Sequence, residues 1–384
     1  GNVLLISGAD LITGGNNNST TFGGSVTGTG RFIMRGTGAL TLNGKVESTT
    51  EIWVGHEAGS TSVLDIQPGA TLVSSNWLVV GRSGGTGTVN VNGGSLVHAG
   101  TGNLTLGTLG TTPSGTINLN SGSVSNMVGE TYLGEGSSAV NYGTFNQSGG
   151  TAVLGNCYVG RGAGSGMGIG TANITGGTTY AGNIEIGYGN NNTRVGTNVM
   201  TIGAGATVNA SGFVRLAFAG SGDLWGILTN NGGTLNIGAT ALYLGYWDPC
   251  NGYVTLNSGT INLFNSASII FGQNGNNSGS STFDQNGGSV TFYSDEGVTV
   301  GGTGSLNIGN AGSGTYTYNL NGGTLTVPQI RTVGGSGFST FNFNGGKVVA
   351  AASSANFMEG LDAANIQADA VIDSSSHNIS IAQS

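Results

Sequence analysis

The sequence predicts an all-β chain coiled as a single-domain parallel β-helix, with three short strands in each of about 12 turns of about 27 residues. One observation behind this is a recurring phrase of alternating apolar and polar residues, closed by Asn or Ser and then Gly. It reads VNVNGGSLV at Val89–Val97, INLNSGSV at Ile117–Val124, FNQSGGTAV at Phe145–Val153, FDQNGGSV at Phe283–Val290 and YNLNGGTLTV at Tyr318–Val327. A second is its spacing: the bend glycines Gly94, Gly122, Gly150, Gly177 and Gly205 follow one another by 28, 28, 27 and 28 residues. A third is the presence of 77 glycines in 384 residues, which suits a chain that must turn at fixed intervals.

Within a turn, the first strand is the period-two run before the bend, with Val89 and Val91 pointing inward. The bend slot holds Asn92, Asn120, Asn286, Asn321 and Asn344. Asn tolerates positive φ there, and its amide can bond the next Asn one turn away as a structural ladder. A weaker second strand, such as Ser95–Val97, follows directly. The third strand is marked by apolar-x-apolar-Gly at Leu78–Gly81, Leu104–Gly107, Ile184–Gly187, Leu242–Gly245 and Val298–Gly301, its glycine falling 10 to 13 residues after the bend glycine. The same marker occurs earlier at Ile52–Gly55, paired with the first-strand phrase Leu40–Gly44. Each inward residue then stacks on its counterpart one turn away, about 4.8 Å along the axis. Asn90, Asn118, Asn146 and Asn173 share one outward slot.

The two ends differ from this middle. Residues 1–37 lack the Asn-Gly-Gly bend and are expected to form an N-terminal capping or assembly segment; residues 38–350 hold the repeats. Residues 351–384 are expected as a C-terminal cap with a terminal strand, and within them Ser354–Leu361 (SANFMEGL) is the one short helical pattern.

Charge is sparse: nine Lys and Arg against 17 Asp and Glu give a net charge of −8, with no basic run. Nucleic acid is therefore not an expected partner, because phosphate binding needs clustered cations. No stretch has the apolar length of a transmembrane segment, and no charged-then-apolar leader opens the chain at Gly1. Cys157 takes the inward slot that Ile184 fills a turn later, whereas Cys250 falls in the Trp247–Gly252 loop. About three turns separate the two cysteines, beyond disulfide reach.

The search for chemistry returns no catalytic residue, metal site or cofactor. His56, His98 and His377 lie on different turns or at the end, without ligand spacing. Gly220–Asp223 occurs once, without the nine-residue period of calcium-binding repeats. A lyase or hydrolase built on a β-helix needs two or three carboxylates at matching positions on adjacent turns. Asp65 and Asp284 share the outward slot but lie many turns apart, while Glu130, Glu135, Asp295 and Glu296 are expected as isolated solvated charges. Aromatic residues offer a binding reading. Trp53, Tyr158 and Tyr243 align with the outward Thr105 slot, and Trp77 lies near the start of an equivalent strand. An exposed row there would stack against sugar rings; strand propensity alone is the plainer account. Phe283, Tyr318, Phe341 and Phe343 fall in inward slots as core.

Ser25–Phe32 (SVTGTGRF), followed by Gly36–Gly44 (GTGALTLNG), resembles the passenger-associated repeat of bacterial autotransporters and related secreted autotransporter-associated β-strand repeat proteins. Phe341–Lys347 (FNFNGGK), Phe357–Leu361, Ala370–Asp373 and Asn378–Gln383 resemble the end of such repeat regions in large bacterial surface proteins. With the repeats between, the resemblance covers most of the chain. It implies secretion, a right-handed β-helix, and a role in adhesion or as a surface fibre. The chain departs from that family in showing neither a C-terminal membrane barrel nor an anchoring segment.

The terminal strands complete the expectation. Val3, Leu4, Leu5 and Ile6 form an uncharged apolar strand, and Asn378, Ile379, Ser380 and Ile381 close the chain in the same style. Exposed strand edges are templates for pairing, and contacts between unlike ends do not close on themselves. The expected function is thus that of a secreted, non-enzymatic structural protein, extracellular or at a bacterial cell surface, whose partner is itself, head to tail, in a filament, sheath or fibre. The alternatives are an adhesin or carbohydrate-binding stalk, with surface polysaccharide as partner, and third, a polysaccharide lyase or hydrolase.

Overall fold

The computed structural model describes residues 1–6, 8–136, 139–163, 165–189, 196–218, 224–247, 249–274, 278–296 and 299–383. The chain is an all-β solenoid of parallel strands, with about 13 turns of about 27 residues, in line with the expected architecture. It divides into two compact units, Gly1–Ala181 and Gly182–Ser384.

In the first unit, period-two alternation builds three strand faces. The first two faces are continuous at the bend: Thr86–His98 is one strand of 13 residues, as is Ser114–Asn126. They pair in register from Thr86↔Ser114 to Val91↔Leu119, slip at Asn92, and resume at Ser95↔Ser123. The weaker second strand is therefore the continuation of the first across a bulge, with Gly93 at φ 99° making the corner. Strands Ile52–His56, Leu78–Arg82 and Leu104–Thr108 form the third face, with Leu78↔Leu104 and Val80↔Leu106 in register. Val89, Val91, Leu96, Leu104 and Leu106 are wholly buried. Burying each such side chain contributes about 1.5–3 kcal/mol.

The marker glycine of the third face has a steric reason. Gly81 sits at φ 75°, and a Cβ there would overlap the Ser114 carbonyl oxygen, while a Cβ on Gly115 would overlap that of Val80. The first and third faces touch backbone to backbone at this corner, which keeps the apolar column narrow. Residues 1–37 wind within the same faces: Asn2–Leu5 pairs with Ser25–Gly28, and that strand with Lys45–Ser48. Asp10–Thr13 pairs with Arg31–Met34, which in turn pairs with Ile52–His56.

The second unit repeats the pattern in Leu224–Ile237 and Cys250–Leu263, whose inward Leu228, Leu235, Val254 and Ile261 are wholly buried. Cys250 opens a strand instead of lying in a loop, and packs with Ala217 and Leu224 in a buried cluster. Farther on, the core is aromatic. Tyr318 stacks between Phe283 (4.7 Å, 20°) and Phe341 (5.4 Å, 3°), with its hydroxyl donating to Gln285 Oε1 at 2.6 Å.

Two expectations are corrected here. Ser354–Leu361 is no helix: Ser354–Glu359 is a strand, paired through Ile330↔Met358 on one side and Met358↔Ile381 on the other. Its composition favours a helix, but backbone partners on both sides and burial of Phe357 and Met358 override that weak preference. The marker Val298–Gly301 does not supply a third-face strand either. Val298 lies outside the described residues, and Val300 forms an antiparallel bridge with Tyr293. The third face is taken up by Leu306–Asn307, in the phrase Leu306-Asn307-Ile308-Gly309, through Ile269↔Leu306. Residues between Tyr293 and Ser305 are thus an insertion in that turn.

Outward amides form ladders. In the first unit, Asn90 donates to Asp65 (2.7 Å), Asn118 to Asn90 (2.7 Å), Asn146 to Asn118 (2.8 Å) and Asn173 to Asn146 (2.9 Å). At the bend, Asn120 donates to Asn92 at 2.8 Å. In the second unit, the bend ladder runs Asn231, Asn257, Asn286, Asn321, Asn344, each later amide donating to the one before at 2.7 or 2.8 Å. A parallel ladder starts at Asp284 and climbs through Asn319 and Asn342 to Asn365.

Candidate functional site

Side chains of the third face point outward between two inward neighbours, and a parallel sheet ordinarily needs cover on both sides. Among the described residues no helix provides it, and arginines and aromatic rings do. Every described arginine belongs to this face: Arg31, Arg82, Arg161, Arg215 and Arg331 lie in its strands, and Arg35 directly follows one.

In the first unit, Ile33, Trp53 and Val79 occupy one outward slot on successive turns and form a buried cluster with Trp77 packed against it. Trp53 is only 5% exposed. The Arg31 guanidinium lies 4.7 Å from its ring centre and that of Arg82 4.0 Å, while Arg82 is 5.5 Å from Trp77. Trp77 is half-buried and donates its indole N–H to Thr105 at 2.9 Å. The expectation of an exposed row at Trp53 is corrected: guanidinium groups cover that indole. His56 packs 4.8 Å from Trp53 and accepts from Arg82 at 3.5 Å through Nδ1. Burial first, then the charges of Arg82 and Arg35, push its pKa down, which keeps the imidazole neutral.

Farther along this unit, Tyr132 and Tyr158 meet edge to face at 5.4 Å and both donate to Glu130. Burial and the Glu130 carboxylate push the Tyr132 phenol far up. Glu135 accepts from Arg161 (2.5 Å) and from Thr108 (3.0 Å). Glu130 and Glu135 are thus bound into a network, correcting the expectation of isolated solvated charges. In sequence the signal was the residue after the marker glycines Gly55, Gly81 and Gly107 and after their counterparts Gly134 and Gly160, namely His56, Arg82, Thr108, Glu135 and Arg161, which align across successive turns.

In the second unit, Arg215 pairs with the buried Glu185 through two bonds of 2.7 and 2.5 Å. Phe218 (4.0 Å), Tyr246 (4.6 Å) and Phe213 (4.9 Å) surround its guanidinium. Tyr243 is half-buried and meets Tyr246 edge to face at 5.3 Å. Trp247 remains 41% exposed beside Phe218. Parts of the loops 188–197 and 246–252, and all of Gly220–Asp223, lie outside the described residues. Among the described residues no three His, Cys, Asp or Glu side chains are grouped as a metal site requires.

The nominated terminal residues are placed as follows. Val3 (37%), Leu4 (73%) and Ile6 (66%) are exposed, whereas Leu5 (5%) turns into the core. At the other end Ile366 (73%), Val371 (49%) and Ile381 (50%) are exposed, as are Asn378 and Ser380, with Ile379 half-buried. Of the acids nearby, Asp369 is exposed and the others have partners. Asp362 accepts from the Ser339 N–H (2.7 Å) and hydroxyl (2.8 Å), Glu359 from Gln329 (2.9 Å), and Asp373 pairs with Lys347 (2.7 Å).

Compared with protein-family models, with curated proteins and with solved structures, the chain finds no match.

Proposed function

We propose that this chain is a secreted, non-enzymatic structural protein whose solenoid turns are extended by further copies, head to tail, into an extracellular filament, sheath or surface fibre. The observation that carries this reading is the state of the two outermost turns. Each presents exposed apolar strand edge, led by Leu4 and Ile6 at one and Ile366 and Ile381 at the other, and no helix among the described residues covers it.

Slot continuity supports the same reading. Asn365 is the last rung of its ladder, donating to Asn342 at 2.9 Å, and no donor among the described residues reaches its own Oδ1. At the other edge the same slot holds Thr21, through Thr21↔Thr41↔Asp65. A second copy docking Thr20–Phe22 on Ala363–Ile366 would supply the missing hydroxyl donor at Asn365 and pair Phe22 with Ile366. The resemblance to autotransporter passenger repeats supports a bacterial, cell-surface setting and right-handed winding.

Negative-stain electron microscopy of the purified chain over a range of concentrations, beside a variant lacking residues 378–384, tests this. Concentration-dependent filaments that the truncation abolishes are expected; particles that stay single at every concentration would refute it.

The adhesin reading has its own support in the arginine and aromatic cover of the third face. It needs a lateral ligand, whereas assembly needs only the ends.

A further inference from the structure

On the outer face of the first unit, Arg31, Arg35 and Arg161 each meet a carboxylate: Asp10 at 2.7 Å, Glu57 at 3.4 Å and Glu135 at 2.5 Å. Arg82 meets none among the described residues. Its bonds both leave from Nη1, to Ser83 Oγ (3.1 Å) and His56 Nδ1 (3.5 Å), while Nε is buried without an acceptor. Trp53 Nε1 and Arg35 Nε, in the same patch, are also buried donors without acceptors. With Nε buried and Nη1 engaged, the Nη2 edge of a guanidinium whose face rests on an indole is left for a carboxylate, and weak hydration makes it well suited to a half-buried site.

Two grooves are lined by residues next to this stack rather than by Arg82 or Trp77 themselves. One, of about 310 Å³, is lined by Asp10, Arg31, Thr50, Glu51 and Asn76; the other, of about 370 Å³, by Arg35, Glu57 and Ser60. Their walls mix polar groups, which suit sugar hydroxyls, with apolar ones such as Ile12 and Ala58. The carboxylates of Asp10, Glu51 and Glu57 on either side of Arg82 would repel a run of anionic units, so the pattern fits one anion with neutral neighbours.

We propose that this face binds an acidic polysaccharide in which uronic acid units alternate with neutral sugars, one uronate carboxylate resting on Arg82 and the apolar face of a ring on Trp77. Arg82 supplies the charge, Trp77 the stacking surface, and the grooves hydrogen-bonding groups for the neutral sugars. This lateral site is independent of the end-to-end contact.

The test is calorimetric titration of the full chain with a hexasaccharide alternating glucuronic acid and N-acetylglucosamine, beside the same oligosaccharide with its carboxyl groups reduced to alcohols. The intact sugar is expected to bind and the reduced one to lose at least about tenfold in affinity, the scale of one charge-assisted contact. Arg82→Gln should lose as much, Trp77→Ala a similar amount, and Lys45→Gln on the second face nothing, with a retained β circular dichroism spectrum and a cooperative thermal transition showing that each variant is folded. Absence of binding, equal affinity for the two sugars, or full affinity in folded Arg82→Gln would overturn the proposal.

Discussion

Asn90 donates its side-chain amide to Asp65 across one turn at 2.7 Å, and every later rung of that ladder points the same way. An amide both gives and takes one bond per rung, but the first rung needs only an acceptor. A carboxylate meets that need, and Asp284 occupies the same place below Asn319. Ladder polarity makes unequal demands on chemically similar substitutions. Asn118→Ala should destabilise by about 1 kcal/mol through its two lost partners. Asn118→Asp should cost more, because a carboxylate facing the Asn90 oxygen has no proton to offer; Asp65→Asn should cost less than either. Urea unfolding of the three variants checks the order.

The backbone contact at Gly81 separates two glycine effects. Gly69 has nearly the same positive φ, 80° against 75°, but open space where a Cβ would go. Gly69→Ala should therefore cost about 1–2 kcal/mol from conformation alone. Gly81→Ala adds overlap with the Ser114 carbonyl and should abolish folding of the unit or lower its melting temperature far more. Circular dichroism melts of the two variants decide this.

Tyr318 makes a pH prediction. Burial pushes its phenol well above the ordinary value of 10, so the folded state holds that proton more tightly than the unfolded chain. The stabilisation is complete below pH 10 and is lost as pH rises above 10 toward the raised folded value. Tyr318→Phe should cost about 1–3 kcal/mol at neutral pH by stranding Gln285 Oε1. Its deficit against the unmodified chain should shrink above pH 10, read by denaturant titration at stepped pH.

Cys157 is buried, and burial pushes its thiol up to about 12. Neither it nor the buried Cys250 should react with a thiol reagent at about pH 8, where an exposed thiol with a pKa near 8.5 would. Two equivalents should react at once on unfolding. Rapid labelling of the native chain would contradict the burial of both.

The repeat, the inward slots and the amide rungs were legible because period two and a near-constant turn length place Val89, Ile117 and Phe145 in one column by counting alone. The third-face network was not. Arg82 and Arg161 each follow a marker glycine, but only stacking brings Arg82 to His56 and Arg161 to Glu135, residues a full turn apart. Trp53 looked exposed because its slot faces outward; the covering guanidinium groups come from the neighbouring turns. The helical pattern at Ser354–Leu361 misled because helix-forming residue types carry no information about strand partners at Ile330 and Ile381.

Head-to-tail assembly is tested most directly by cysteine cross-linking in the register the ladders specify. Neighbouring parallel strands set paired Cα atoms about 5 Å apart, within disulfide reach. Thr21→Cys and Asn365→Cys chains, mixed and mildly oxidised, should yield a disulfide-linked pair containing one of each, while either variant alone yields none. Absence of linkage in the mixture, or equal linkage within each variant alone, would contradict end-to-end continuation of the solenoid.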